Sequence, residues 1–111
     1  MKDMLLQEKY LSIGELNNFI SDWKIKARVT KKHPKRPWKT SAKSGCLLNI
    51  ELIDNSGKQI QATFFNDQAE LYDGILQENK VYTFANGKVN LANQKFTSIK
   101  NDYCIVFDKN S

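Results

Sequence analysis

The sequence predicts an all-β fold, a small closed barrel of five strands with one helix between the third and fourth. Three observations carry that prediction. Apolar residues recur at every second position through most of the chain, the period of a half-buried strand. The alternation breaks once, at "NDQAELYDGILQEN", where the spacing turns helical. At 111 residues with 41% apolar content, the chain can fill one hydrophobic core rather than two.

Taken in order, the first 22 residues read as a tail with a short helix from about Ile13 to Phe19, because Ser12 and Glu15 have capping-box spacing. The barrel domain is expected over 23–111. Trp23, Ile25, Ala27 and Val29 alternate with Lys24, Lys26, Arg28 and Thr30, a strand with a basic outer face. "KKHPKRPWKTSAKSG" holds both prolines and no apolar period, so it reads as a long loop. Leu48, Ile50 and Leu52 mark a second strand, with Asn49 and Glu51 on its other face. "DNSG" is a tight turn, and "KQIQATFF" is the third strand. Asp67 is placed to cap a helix carrying Ala69, Leu71 and Tyr72, which ends near Gly74. "KVYTFANGKVNLANQKFTSI" reads as a hairpin turning at Asn86-Gly87, and "DYCIVF" is the last strand. Three strands, a helix, then two or three more strands suit a five-stranded Greek-key barrel of the OB type.

Several function classes find no support. No apolar run approaches the roughly 18 residues that span a bilayer, and the opening residues lack the apolar core and cleavage site of a signal peptide. Cys46 and Cys104 are too few for a disulfide scaffold, and no Cys/His spacing suggests zinc, so reducing surroundings are expected. His33 stands beside Pro34 in the basic loop and reads as a solvated side chain. There is no Gly-rich phosphate loop, no paired-carboxylate motif and no metal-ligand spacing. The expectation is a protein that is not an enzyme, with no cofactor, no metal and no small-molecule substrate.

Charge and aromatic placement say more. Between Lys24 and Lys43 lie nine Lys or Arg residues and no Asp or Glu, within a net charge of +5. Such a run is either a solvated face or a footprint for a polyanion; Lys32 and Lys43 are phosphate-binding candidates within it. In "QATFFND", Phe64 shares a strand face with Ile60 and Ala62, whereas Phe65 shares the other with Gln61 and Thr63. Phe96 repeats the pattern beside Ser98 and Lys100. On periodicity alone, either ring is an exposed platform or lies beneath a neighbouring segment. Trp38, between Arg36-Pro37 and Lys39, could stack on a base or pack under the loop, and packing is the expected role. Exposed rings among basic residues suit single-stranded nucleic acid, which offers base faces and phosphates together.

The stretches "WKIKARVT", "NIELIDNSGKQIQATFFNDQ" and "NKVYTFANGKVNLANQKFTSIKNDYCIVF" resemble the first single-stranded-DNA-binding OB domain of replication protein A large subunits. The resemblance covers about Leu11 to Phe107. Its most specific parts are "ATFFNDQ" and "ANQKFTSIKNDY". It implies that Phe65 and Phe96 are the two base-stacking aromatics, that Arg36 is a basic DNA contact in the first loop and Trp38 the tryptophan of that loop, and that Asn66 is a polar contact beside the stacking ring. Three positions depart from the family pattern. Gln61 stands where the family usually has an arginine, Asn90 where it has a lysine and Cys104 where it has a carboxylate. Ala42 also replaces a loop arginine, for which Lys43 can substitute.

The resemblance further implies a nuclear module of a larger protein, partnered by single-stranded DNA, by other OB domains of that protein and by the subunits of its complex, with no membrane partner. Its setting is replication and repair, or telomeres if the chain is a telomerase-associated paralogue. An alternative from another class is an OB module that docks acidic peptides on the basic run, a role that needs no exposed stacking rings.

Overall fold

The computed structural model describes residues 10–94, 97 and 99–108. Its strands are β1 (Lys24–Lys32), β2 (Arg36–Lys39), β3 (Ser44–Ile53), β4 (Gln59–Phe65), β5 (Val81–Ala85), β6 (Lys88–Leu91) and β7 (Tyr103–Phe107), with one helix, α1 (Asp67–Asp73), between β4 and β5. Hydrogen bonding runs β5–β1–β3–β4–β7–β6, and β2 pairs with the free end of β3. Every pairing is antiparallel except β4 with β7.

The expected hairpin at Asn86-Gly87 is instead a corner. β5 pairs with β1 and β6 pairs with β7, so the two halves belong to opposite ends of the ladder, and the corner between them closes the sheet into a barrel. Asn86 supplies the left-handed backbone, at φ 67°. Gly87 supplies clearance: a Cβ there would stand 2.8 Å from Ile105 Cγ2 and from Phe107 Cε1. The dipeptide that favours a tight turn also suits a sharp bend, and local sequence does not separate the two. Counted along the barrel, β5 and β6 are one bent strand, which restores the expected five.

Alternation made the inner wall. Ile25, Leu48, Ile50, Leu52, Ile60, Ala62 and Ile105 have no accessible surface. At the end of the barrel under α1, Phe64 stacks on Phe107 at 4.7 Å and meets Tyr72 at 5.1 Å. Removing the Phe64 ring would open a cavity there, at a cost of about 3–5 kcal/mol. The opposite margin is sealed by the N-terminal segment. There the expected helix shrinks to a single 3-10 turn, Ile13–Glu15, which buries Ile13 and Leu16 in the core shared with Trp23. Ser12 Oγ donates to Glu15 Oε1 at 3.1 Å, while the Ile13 N–H donates across the chain to Asp54 Oδ2 at 2.6 Å. A tertiary bond to the β3–β4 turn takes the place of a further helical turn.

Two further expectations change. The long basic loop is largely a hairpin, because Arg36–Lys39 pairs with Ser44–Leu47. His33 is not simply solvated: its N–H donates to Asn49 O at 3.0 Å and its Nε2 lies 2.9 Å from Glu51 Oε2.

Candidate nucleic-acid interface

Strand register assembles one outer face from residues far apart in sequence. β3 and β4 pair Leu47 with Phe65, Asn49 with Thr63 and Glu51 with Gln61. β7 adds Val106 beside Thr63 and Cys104 beside Gln61, and β6 adds Lys88 and Asn90 beyond them. β2 adds Arg36 opposite Leu47 and Trp38 opposite Gly45. Side chains directly across a sheet share a face. The face therefore reads as successive rows: Trp38 with Gly45; Arg36, Leu47 and Phe65; Asn49, Thr63, Val106 and Lys88; Glu51, Gln61, Cys104 and Asn90.

Phe65 stands where alternation predicts, half-buried on the outside while Phe64 points inward at 2% exposure. It lines an open cleft of about 430 Å³ with Trp38, Lys43, Asn66, Asp67, Val106 and Asp108. Lys43 reaches this cleft because Thr40 closes the hairpin turn, with Thr40 N–H donating to Lys43 O at 2.7 Å and Lys43 N–H donating to Thr40 Oγ1 at 3.0 Å. Arg36 lies exposed in the row of Phe65. A ring, two cations and an indole thus share one end of the face.

Trp38 is half-buried and braces the hairpin. Its Nε1–H donates to Cys46 O at 3.2 Å, which holds the indole across Gly45. Asn66 also turns toward the hairpin. Its side-chain oxygen accepts from Cys46 N at 3.3 Å, and its own N–H donates to Cys46 O at 2.8 Å. Asn66, not Asp67, is the residue before α1, and it makes no side-chain cap for the helix.

The sequence overlooked Cys46. Burial, then its hydrogen bond to Glu70, push its thiol pKa up; Glu70 Oε1 lies 3.4 Å from the sulfur and Glu70 Oε2 lies 3.0 Å from Lys35 Nζ. The only signal for it was position, one residue after a glycine at the edge of a strand. Val106 and Asp108 were also missed, because their place on this face depends on the parallel β4–β7 register.

Other expected site residues lie elsewhere. Lys32 is tied to the segment around the end of α1: its Nζ donates to Asp73 O at 2.6 Å and Leu76 O at 3.1 Å, with Asp73 Oδ1 at 3.3 Å. Its charge meets the last carbonyl of α1 and one in the turn that follows the helix. Lys26 and Arg28 lie toward the far margin of the sheet, where Arg28 pairs with Ile53 four rows from Gly45. The basic run is therefore divided by the fold. Phe96 lies outside the described residues.

Gln61, Cys104 and Asn90 fall in one row, side by side on β4, β7 and β6. Gln61 Nε2 reaches Asn49 Oδ1 at 3.5 Å, and the same oxygen accepts from Thr63 Oγ1 at 2.6 Å. Burial raises the Cys104 thiol pKa. These three present two amides and a thiol, while Glu51 and, across from it on β1, Lys31 carry the charges at the other end of the row. Among the described residues, no group of three or more His, Cys, Asp or Glu side chains could hold a metal ion.

A family model described as a domain of unknown function, DUF223, matches residues 14–111. Curated relatives are the replication protein A 70 kDa DNA-binding subunits of Gallus gallus, 46% identical over 102 residues, and of Xenopus laevis, 44% identical over 102 residues; each match covers 92% of this chain. The chain spans only 16–17% of those proteins. Among solved structures, DNA-binding domain A of Saccharomyces cerevisiae replication protein A superposes with a TM-score of 0.76 at 35% identity, covering 90% of this chain and 87% of that one. A replication protein A heterotrimer bound to single-stranded DNA gives a TM-score of 0.84 at 36% identity over 89% of this chain and 23% of its own. Archaeal OB domains at 14% and 22% identity share the fold. The chain belongs to the DUF223 family, as an OB domain of the replication protein A large-subunit type.

Proposed function

We propose that this OB domain binds single-stranded DNA without catalysing a reaction on it, a base stacking on Phe65 while Arg36 and Lys43 meet the flanking phosphates. The observation that carries this is the meeting of a half-exposed ring, an arginine in its row and a lysine at its cleft on one sheet face. Stacking supplies roughly 1–3 kcal/mol per base, a general magnitude for single-strand-binding OB folds, this family among them. Lys and Arg add a salt-dependent term through counterion release, with a slope near −0.7 per phosphate on single strands.

The uncharged side chains of Gln61, Cys104 and Asn90 make this a weaker and less salt-dependent binder than a domain with cations at those three positions. Its setting is a larger nuclear protein whose other OB domains and partner subunits raise affinity through effective concentration, in replication and repair or, as a paralogue, at telomeres. Titration of a labelled oligonucleotide with Phe65→Ala, Phe96→Ala and the double variant tests the reading. Single-strand affinity unchanged in the double variant would sink it. Equal affinity for telomeric repeats and a scrambled strand of the same length would favour the general role.

A further inference from the structure

We infer that Gly45 is a positioning residue of this interface: its missing side chain lets Trp38 and Asn66 close on the β2–β3 hairpin and fix its pose beside Phe65. The purpose assigned to that pose rests on the proposed single-strand binding; the geometry does not. Glycine inside a strand weakens it and often marks the close approach of another group. Gly45 lies within β3 with no left-handed φ to explain it, directly across from Trp38. A Cβ there would overlap Asn66 Oδ1 and stand 2.7 and 2.8 Å from Trp38 Cζ2 and Cε2. Two side chains occupy the space that a methyl would need.

Both hold the next residue. Trp38 Nε1–H and the Asn66 N–H donate to Cys46 O, at 3.2 and 2.8 Å, and Cys46 N–H donates to Asn66 Oδ1 at 3.3 Å. The Cys46 thiol adds contacts to Asn66 O at 3.6 Å and Glu70 Oε1 at 3.4 Å. The hairpin is thereby latched to the start of α1 at one point. Asn66 takes part at φ 55°, ψ −117°, a backbone state that L residues adopt only when surroundings impose it. A methyl at position 45 displaces the indole, the amide or both, and each displacement removes a bond to Cys46. The hairpin that presents Arg36 and Lys43 then loses its fixed relation to Phe65.

The test compares Gly45→Ala, Trp38→Ala and the double variant, using a fluorescein-labelled oligodeoxythymidine and tryptophan emission. Trp23 is buried and serves as a constant background. Gly45→Ala is expected to shift the Trp38 emission to the red without DNA. It should weaken binding at least about fivefold, the low end for losing one aromatic contact. The double variant should bind no more weakly than the weaker single, because both changes release the same latch. Losses that multiply in the double variant, or wild-type affinity in Gly45→Ala, overturn the inference. If Gly45→Ala fails to fold, a triple variant that adds Trp38→Ala and Asn66→Gly, free of both obstructing side chains, is expected to fold; a triple variant that is also unfolded overturns it. If the unaltered domain binds no strand, the proposed function fails, and the emission of Gly45→Ala alone decides the positioning role.

Discussion

The two ends of the outer sheet face share a backbone and differ in almost everything their side chains do. At the hairpin end, Trp38, Lys43, Phe65 and Asn66 converge on one cleft, and Cys46 ties the hairpin to α1. Two rows away, Gln61, Cys104 and Asn90 line up with no charge and few bonds. Regular β-pairing places a residue at a position on the face, but it does not make that position a site. The hairpin end gains its character from tertiary bonds that hold an aromatic and cations in fixed relation. The amide row has register and a long bond from Gln61 to Asn49.

The sharpest way to break this contrast is at Phe65. Phe65→Ala is expected to weaken single-strand binding by about 1–3 kcal/mol, roughly 5- to 150-fold, with little change in unfolding temperature because the ring is half-exposed. Phe64→Ala, one residue away on the core face, should show the reverse, with destabilisation of about 3–5 kcal/mol. Fluorescence anisotropy and thermal melts read the pair. Equal effects at both positions would show that β4 does not separate a binding face from a core face.

Charging the quiet end gives the next largest effect. Gln61→Arg with Asn90→Lys should steepen the salt dependence by about 1.4, from two added phosphate contacts at about 0.7 each, and tighten binding at low salt. An unaltered slope would show that a bound strand never crosses this row. Lys32→Met probes the scaffold instead. The variant is expected to lose about 0.3–1 kcal/mol of stability through the helix end it caps, while its salt slope stays that of the unaltered domain; a reduced slope would return Lys32 to the interface.

The smallest effect lies farthest from the cleft, at Asp54. Burial opposes its ionisation, but bonds from the Ser56 hydroxyl and from the N–H groups of Ile13, Ser56 and Lys58 together hold its carboxyl pKa below the ordinary range. A depressed carboxylate stabilises the fold above the unfolded pKa of about 3.9 and loses that contribution as pH falls through the folded value. Melting temperature should therefore fall more steeply below about pH 4 in the unaltered chain than in Asp54→Asn. Parallel curves would remove Asp54 from the fastening of the N-terminal segment.

Much of this was legible in the residues. Alternation separated Phe64 from Phe65, placed β1, β3 and β4, and marked the single helix. The errors share a cause. Asn86-Gly87 bends in the same way whether the flanking halves pair with each other or with β1 and β7, so a dipeptide cannot announce a barrel closure. Ser12 and Glu15 have helix-start spacing, yet the Asp54 carboxylate captures the Ile13 N–H. The bond of Lys32 to Asp73 O was hidden in the same way, because it depends on where α1 ends in space.

Which face each strand residue takes was determined by the sequence alone, because side-chain alternation is a property of the local backbone. The family pattern in "ATFFNDQ" was equally local. Which faces become neighbours was decided only by tertiary structure. Joining Trp38, Gly45, Cys46 and Asn66 requires β2 to fold onto β3 and β3 onto β4. Setting Gln61 beside Cys104 requires a parallel pairing across 43 residues of chain. Such contacts depend on chain closure and the packing of a shared core, and no window of sequence short enough to read by period contains both partners.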